Sequence, residues 1–317
     1  MSTNMSPDLK PVALIAGPTA SGKSDLAVQL AQRLGRDGRR GVVINADSQQ
    51  VYRDLHILSA RPTEEEMGGI EHRLFGAWDG AEACSAAEWA EAAEREIADV
   101  HATGGVPILC GGTGLYIRTL LDGIAPVPEI DPEIRHAVRA LDQAEARAAL
   151  ESEDPAAAKR LAPADASRTT RALEVVRSTG KTLAEWQTLK SGGIARETTL
   201  APLVVLPERE WLFARCDLRF ERMMDTGAIE EVEAIEARGL DPSLPVMRAI
   251  GVPEIRGFIQ GNLSRAQAIA AGQTATRQYA KRQYTWFRNQ PPEAWPRADN
   301  KTIVECDYFV SLFHSGG

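Results

Sequence analysis

The apolar run Val12–Ala16 stops abruptly at Gly17-Pro18, as a short buried strand does. From Lys23 to Leu34 the apolar positions Leu26, Ala27, Leu30 and Leu34 follow the helical period. Val42–Ile44 predicts a second strand. Ser85, with Glu88 three residues on, starts a helix running to about His101. Val106–Cys110 predicts a third strand, closed by Gly111-Gly112. Strands that alternate with helices in this way predict an α/β fold, a parallel sheet covered on both faces.

The pattern changes near Ile124. Ala125-Pro-Val-Pro128 reads as a linker, and Asp131-Pro132-Glu133 combines an N-cap, a first-turn proline and a first-turn acid. Only helical periods follow, at Pro132–Leu150, Ala156–Leu161, Ala166–Thr179 and Leu183–Lys190. An all-helical insertion is predicted over residues 125–199, between core segments 1–124 and 200–317. The strand Leu203–Leu206 returns the chain to the core, followed by helices at Arg209–Asp225, Ala228–Arg238 and Val252–Gln260. Ser264 opens a long helix reaching Asn289, and Thr302–Cys306 reads as a last strand or a tail.

A chain of 317 residues with ordinary apolar and charged fractions can bury a full core. No apolar run approaches the roughly 20 residues that span a bilayer. A cytoplasmic protein without membrane contact is therefore expected. Cys84, Cys110, Cys216 and Cys306 are scattered and predict neither a disulfide framework nor a zinc site. The net charge of −8 excludes a uniformly basic nucleic-acid coat. Yet Arg256–Pro292 contains no Asp or Glu, while Arg277, Lys281, Arg282 and Arg288 fall inside it. Arg277, Lys281, Tyr284 and Arg288 share one helix face, able to meet phosphates while an aromatic packs or stacks.

The sharpest local signal is Gly17-Pro18-Thr19-Ala20-Ser21-Gly22-Lys23-Ser24, the phosphate-loop pattern between a strand and a helix. Its curled backbone, the following helix N-terminus and Lys23 attract phosphate, and Ser24 offers a ligand to Mg²⁺. The motif does not say which phosphate compound binds. Asp47, after the second strand, falls near the same phosphates; a Mg²⁺ contact through water and a general base are both open to it. Gly111-Gly112-Thr113-Gly114 is a second glycine-rich turn, with the Thr113 hydroxyl directed to the same crevice.

Read jointly, these segments resemble the tRNA dimethylallyltransferase family. The matching segments are GPTASGKS at 17–24, DSQQVY at 47–52, HRLFG at 72–76 and GGTGLY at 111–116. Ser167-Arg168-Thr169-Thr170-Arg171, Gly180-Lys181, Arg248-Ala-Ile-Gly251 and the run from Thr276 to Arg288 follow in the family's order. The resemblance implies a P-loop NTPase-like core and a helical insertion that grips the tRNA anticodon arm. It implies transfer of dimethylallyl from its diphosphate to N6 of the adenine 3′ of the anticodon, position 37, by a protein expected to be a monomer.

By the same resemblance Asp47 is the general base, and Thr113 helps hold the diphosphate and the reacting centre. The loop Gly17–Ser24 takes the donor diphosphate, with Mg²⁺ as cofactor. Asp47, Ser48, Gln49, Gln50, Thr113, Arg135, Ser167, Arg168, Thr169, Thr170, Arg171, Arg248, Gly251, Arg277, Lys281, Arg282 and Arg288 are implied to face tRNA. Two segments depart from the family's pattern. Ser59-Ala60-Arg61-Pro62 stands where Gly-Thr-Ala-Lys-Pro is usual, and Val252 stands where Tyr is common. The residues alone also admit an ATP-dependent small-molecule kinase, which shares the phosphate loop but gives the basic helix no task. A non-catalytic RNA binder leaves Asp47 and Thr113 idle, and a prenyltransferase acting on free adenine nucleotides needs no RNA-gripping insertion.

Overall fold

The structure, a computed structural model, describes residues 9–299 and residue 309. The described residues divide into two compact units. One is built from the chain up to Leu120 and from Ile194 onward, the other from Leu121–Gly193.

In the larger unit the strands are β1 Lys10–Ala16, β2 Gly41–Asn45, β3 Glu71–Arg73, β4 Val106–Gly111, β5 Thr198–Val205 and β6 Arg297–Ala298. All pair in parallel, in the order β3-β2-β4-β1-β5-β6. The central strands β2 and β4 are buried along their whole length, which is why they read as continuous apolar runs. Helices α1 Lys23–Arg36, α2 Glu64–Met67, α3 Ala86–Ala102 and α4 Gly114–Asp122 belong to the first half. The capping box of Ser85 and Glu88 forms as its spacing predicts. After the smaller unit come α10 Arg209–Asp225, α11 Ala228–Ala237, α12 Val252–Ile259 and α13 Arg265–Asn289. Ala13, Ile15, Leu30, Leu34, Val43, Ile108 and Leu203 form one core between sheet and helices. Each of the larger side chains among them contributes about 1.5–3 kcal/mol by leaving water.

The smaller unit holds α5 Pro132–Ala140, α6 Gln143–Glu153, α7 Pro155–Arg160, α8 Ala166–Thr179 and α9 Leu183–Gln187. Val138, Ala146, Leu150, Ala157, Ala158, Ala172 and Leu173 pack together as its own core. The predicted helix Pro132–Leu150 is two helices. Leu141 is extended, and Asp142 caps a new start by accepting from the Glu145 N–H at 2.8 Å. Residues 194–199 belong to the larger unit, because β5 starts at Thr198 to pair with β1 from Lys10.

The short strands β3 and β6 carry no apolar run that would predict them; pairing with β2 and β5 makes them strands. The strand or tail expected at Thr302–Cys306 lies outside the described residues. Among the described residues no helix is long and apolar enough to cross a membrane.

Candidate active site at the carboxyl ends of the central strands

The chain leaves β1 toward β2 and leaves β4 toward β5, so the connections diverge at the neighbouring ends of β1 and β4. A ligand crevice opens at such a switch point. The phosphate loop follows β1, and the second glycine-rich turn follows β4. They touch directly, the Gly17 N–H donating to the Gly111 carbonyl at 3.3 Å.

Within the phosphate loop Ala20 and Gly22 take left-handed backbone angles, with φ of 62° and 89°. The curled backbone forms an N–H concavity at the start of α1, where Gly22 is the cap without a side-chain bond. Lys23 is buried, and its ammonium donates to the Pro18 carbonyl at 3.4 Å. The buried Ser21 Oγ has no hydrogen-bond partner, a polar atom that an anion in the loop would satisfy. A cleft of about 170 Å³ is lined by the loop from Thr19 to Ser24 together with Asp47 and His72. Burial lowers the His72 pKa, against a raising hydrogen bond to the Ile70 carbonyl.

Asp47 is held from several sides. The Asn45 Oδ1 accepts from the Asp47 N–H at 2.9 Å, and its amide donates to the carbonyls of Asp47 at 3.0 Å and Leu74 at 3.1 Å. Fully buried Trp89 of α3 donates to the Asn45 carbonyl at 2.9 Å and stacks on Tyr116 of α4. The carboxylate itself, 7% exposed, accepts from the Gln49 N–H at 3.0 Å. Thr113 Oγ1 accepts from the Ser48 N–H at 2.8 Å and donates to the Ser48 hydroxyl at 3.2 Å, so the two turns form one wall. The Tyr279 phenol of α13 also hydrogen-bonds with Thr113 and Ser48, and burial together with nearby Asp47 raises its pKa.

Asp47, Thr19, Ser59 and Arg219 line the phosphate cleft and also a second, smaller cavity. That cavity, of about 20 Å³, is lined by Leu58, Phe220, Met223 and Ile250 beside these polar groups. Arg219 of α10 donates to Thr19 Oγ1 at 2.6 Å, and no carboxylate pairs with it among the described residues. Burial lowers its pKa while Cys216 and Asp47 oppose the shift; a guanidinium keeps its charge regardless. Sequence reading does not single out Arg219, which sits among other charged residues of an ordinary helix.

Two further residues carry no sequence signal of their role. Glu231 of α11 accepts from the N–H groups of His56, Ile57 and Leu58 at 2.7, 2.7 and 2.9 Å, fixing the loop that carries Leu58 and Ser59. Gln283 of α13 accepts from the Thr19 N–H at 2.8 Å and donates to the Gly112 carbonyl at 2.9 Å.

The residues implied to face RNA separate by exposure. Lys281, Arg282, Arg288 and Arg248 are exposed on the larger unit. Arg277 is instead paired with Asp217, and Tyr284 lies under the Arg209 guanidinium, so half of the predicted basic stripe packs on α10. Gln50 spends its amide on the Ser59 and Ala60 carbonyls at 3.1 and 2.8 Å. Gly251 is buried with φ 98°, and a methyl group there would press on Leu58 and Phe220, so its place is behind the cavity. On the smaller unit Ser167, Arg168 and Arg171 are exposed and Thr170 and Arg135 half-buried. Thr169 is fully buried, because it lies on the inward stripe of α8.

Arg61, in the segment that departs from the family's pattern, donates to the Tyr52 carbonyl at 3.3 Å. Val252 is fully buried. Cys84, Cys110 and Cys216 are free thiols, and no cluster of metal-binding side chains occurs among the described residues.

A parallel sheet with a phosphate-loop motif, a facing carboxylate and a half-buried arginine at its switch point defines a P-loop-like fold. The IPP transferase family model matches residues 50–290. The tRNA dimethylallyltransferase of Erythrobacter litoralis is 68% identical, covering 96% of this chain and 96% of that relative. That of Sphingopyxis alaskensis is 66% identical over 90% of this chain and 92% of its own. Among solved structures, the full-length tRNA isopentenylpyrophosphate transferase of Bacillus halodurans aligns with a TM-score of 0.66 at 32% identity, covering 96% of this chain and 94% of its own. A eukaryotic dimethylallyltransferase acting on tRNA aligns with a TM-score of 0.77 at 28% identity, covering 96% of this chain and 77% of its own. The chain belongs to the IPP transferase family, the tRNA dimethylallyltransferases.

Proposed function

We propose that this protein transfers the dimethylallyl group of dimethylallyl diphosphate to N6 of adenine 37, 3′ of the anticodon, in tRNA. One observation carries the reading: Lys23 of the phosphate loop, Asp47 and Arg219 line one cleft at the switch point of the sheet. The diphosphate head of an allylic donor suits the cations of that cleft, and the Asp47 carboxylate beside them can take a proton from the acceptor amine. An ATP-dependent kinase would leave the exposed Lys281, Arg282 and Arg288 of α13 without a task.

The C1–O bond of the donor breaks as negative charge moves onto the diphosphate. Lys23, the loop N–H groups and Arg219 stabilise that charge where it develops. The adenine N6 forms a bond to C1, and its proton passes to the Asp47 carboxylate as the amine becomes acidic. The target base must leave its stack to reach the allylic carbon. Ser24 and Asp47 line the cleft as hard oxygen donors and fit Mg²⁺, which usually binds through few protein ligands and substrate phosphates. Bound there, Mg²⁺ would add charge neutralisation at the diphosphate.

Exposed Lys281, Arg282, Arg288 and Arg248 on the larger unit are suited to tRNA phosphates, as are Arg168 and Arg171 on the helical unit. The protein is proposed to work as a cytoplasmic monomer, where unmodified tRNA is found. The test incubates it with unmodified tRNA, Mg²⁺ and dimethylallyl diphosphate, digests the RNA and weighs the nucleosides. An adenosine carrying the five-carbon group is expected. No mass shift, with Mg²⁺-dependent ATP consumption in the presence of a small acceptor, would overturn the reading.

A further inference from the structure

Helix α13 has two faces with different tasks. Lys281, Arg282 and Arg288 are exposed, while Gly272, Thr276, Ala280, Gln283 and Phe287 form its buried stripe. Gln283 is the one amide on that stripe, 6% exposed. Its two ends contact main-chain groups far away in sequence: the Thr19 N–H of the phosphate loop and the Gly112 carbonyl of the second glycine-rich turn. A backbone N–H only donates and a carbonyl only accepts, so the bridging side chain must offer one acceptor and one donor. Glutamate lacks the donor, lysine lacks the acceptor, and asparagine is a methylene shorter.

We propose that Gln283 is a positioning residue for the transfer reaction. Its carboxamide fixes the phosphate loop against the turn that carries Thr113, and so sets the donor diphosphate in register with the Asp47 wall. The inference rests on the transferase reading above. The geometry supports it from both sides. Thr19, whose N–H Gln283 holds, also accepts through Oγ1 from Arg219, so one residue links the brace to the cation of the cleft. Thr113, next to the Gly112 carbonyl, bonds Ser48 beside Asp47. Gln283 itself lines neither cavity, yet its amide is bonded to the backbone of both halves of the site.

The test replaces Gln283 by Met, of similar length and apolar. Three quantities are measured: inorganic diphosphate affinity by calorimetry, single-turnover transfer at saturating tRNA and donor, and tRNA affinity. Removing two main-chain hydrogen bonds at the loop is expected to weaken diphosphate binding about tenfold and slow single-turnover transfer by about tenfold or more. Affinity for tRNA should stay at the wild-type level, because the residue is buried. A general loss of structure would instead lower all three together, and would overturn the local bracing role.

Gly112→Ala supplies a second perturbation, since a methyl group there would overlap the Gln283 amide from the opposite side. Combined with Gln283→Met, its effect on the transfer rate is expected to be less than additive. Folded variants with wild-type diphosphate affinity and transfer rate, or fully additive effects, would overturn the proposal. If the wild-type protein binds diphosphate but transfers nothing to tRNA, the functional reading fails. The calorimetric comparison then still decides whether Gln283 shapes the phosphate loop.

Discussion

Replacing Asp47 by Asn separates the roles open to this carboxylate. The substitution is nearly isosteric, and the amide oxygen keeps the acceptor for the Gln49 N–H at 3.0 Å. The bonds of Asn45 run to the backbone of residue 47 and are untouched. The fold and the shape of the shared wall should therefore survive, with thermal stability near wild type. An amide cannot take the N6 proton, however. Loss of a positioned base costs about 10²–10⁴ in rate, or about 2.7–5.5 kcal/mol of barrier.

Donor binding supplies the opposite sign. Asp47 and the phosphate loop share a cleft, so removing a negative charge relieves repulsion of the diphosphate. Donor affinity should hold or improve while single-turnover transfer collapses. Rapid-quench assays at saturating tRNA and donor, alongside calorimetry with dimethylallyl diphosphate, measure both. A single-turnover rate close to wild type would refute the base assignment. Weakened donor binding that recovers with excess Mg²⁺ would show instead that the carboxylate serves the metal.

Replacing Lys281, Arg282 and Arg288 together by Ser should weaken tRNA binding and lower its salt slope by about 0.7–0.9 for each phosphate no longer neutralised, as read by titration at several salt concentrations. Gly272→Ala would drive a methyl group into the Phe220 ring, which lines the smaller cavity beside Asp47 and Arg219. It should cost about 1–3 kcal/mol by overpacking in chemical denaturation, and raise the donor KM. Burial lowers the pKa of both His72 and His101, so below about pH 6.5 the unfolded chain binds more protons than the native one. Stability is therefore full above that pH and falls as the pH drops. Melting temperatures at neutral and mildly acidic pH should show the decline, and His101→Gln should flatten part of it.

What the sequence determined by itself was whatever the chemistry keeps local. Eight consecutive residues, Gly17 to Ser24, make the curled loop, and strand and helix periods flank it, so loop and context are legible together. The helical insertion is legible too, because its caps and periods lie within single turns. Its first helix departs from the expectation only where Asp142 restarts it. The joint order of short motifs indicates the family although no single one does.

Tertiary structure decided the rest, because side chains can acquire partners that sequence spacing does not encode. Arg219 became a cation of the site by meeting Thr19, and Gln283 a brace by reaching Thr19 and Gly112. Arg277 and Lys281 share a periodic stripe, yet Asp217 pairs with one and the other is exposed. The strands β3 and β6 exist because neighbours supply their ladders. Periodicity reports which face of an element turns inward; only packing reports what that face then touches.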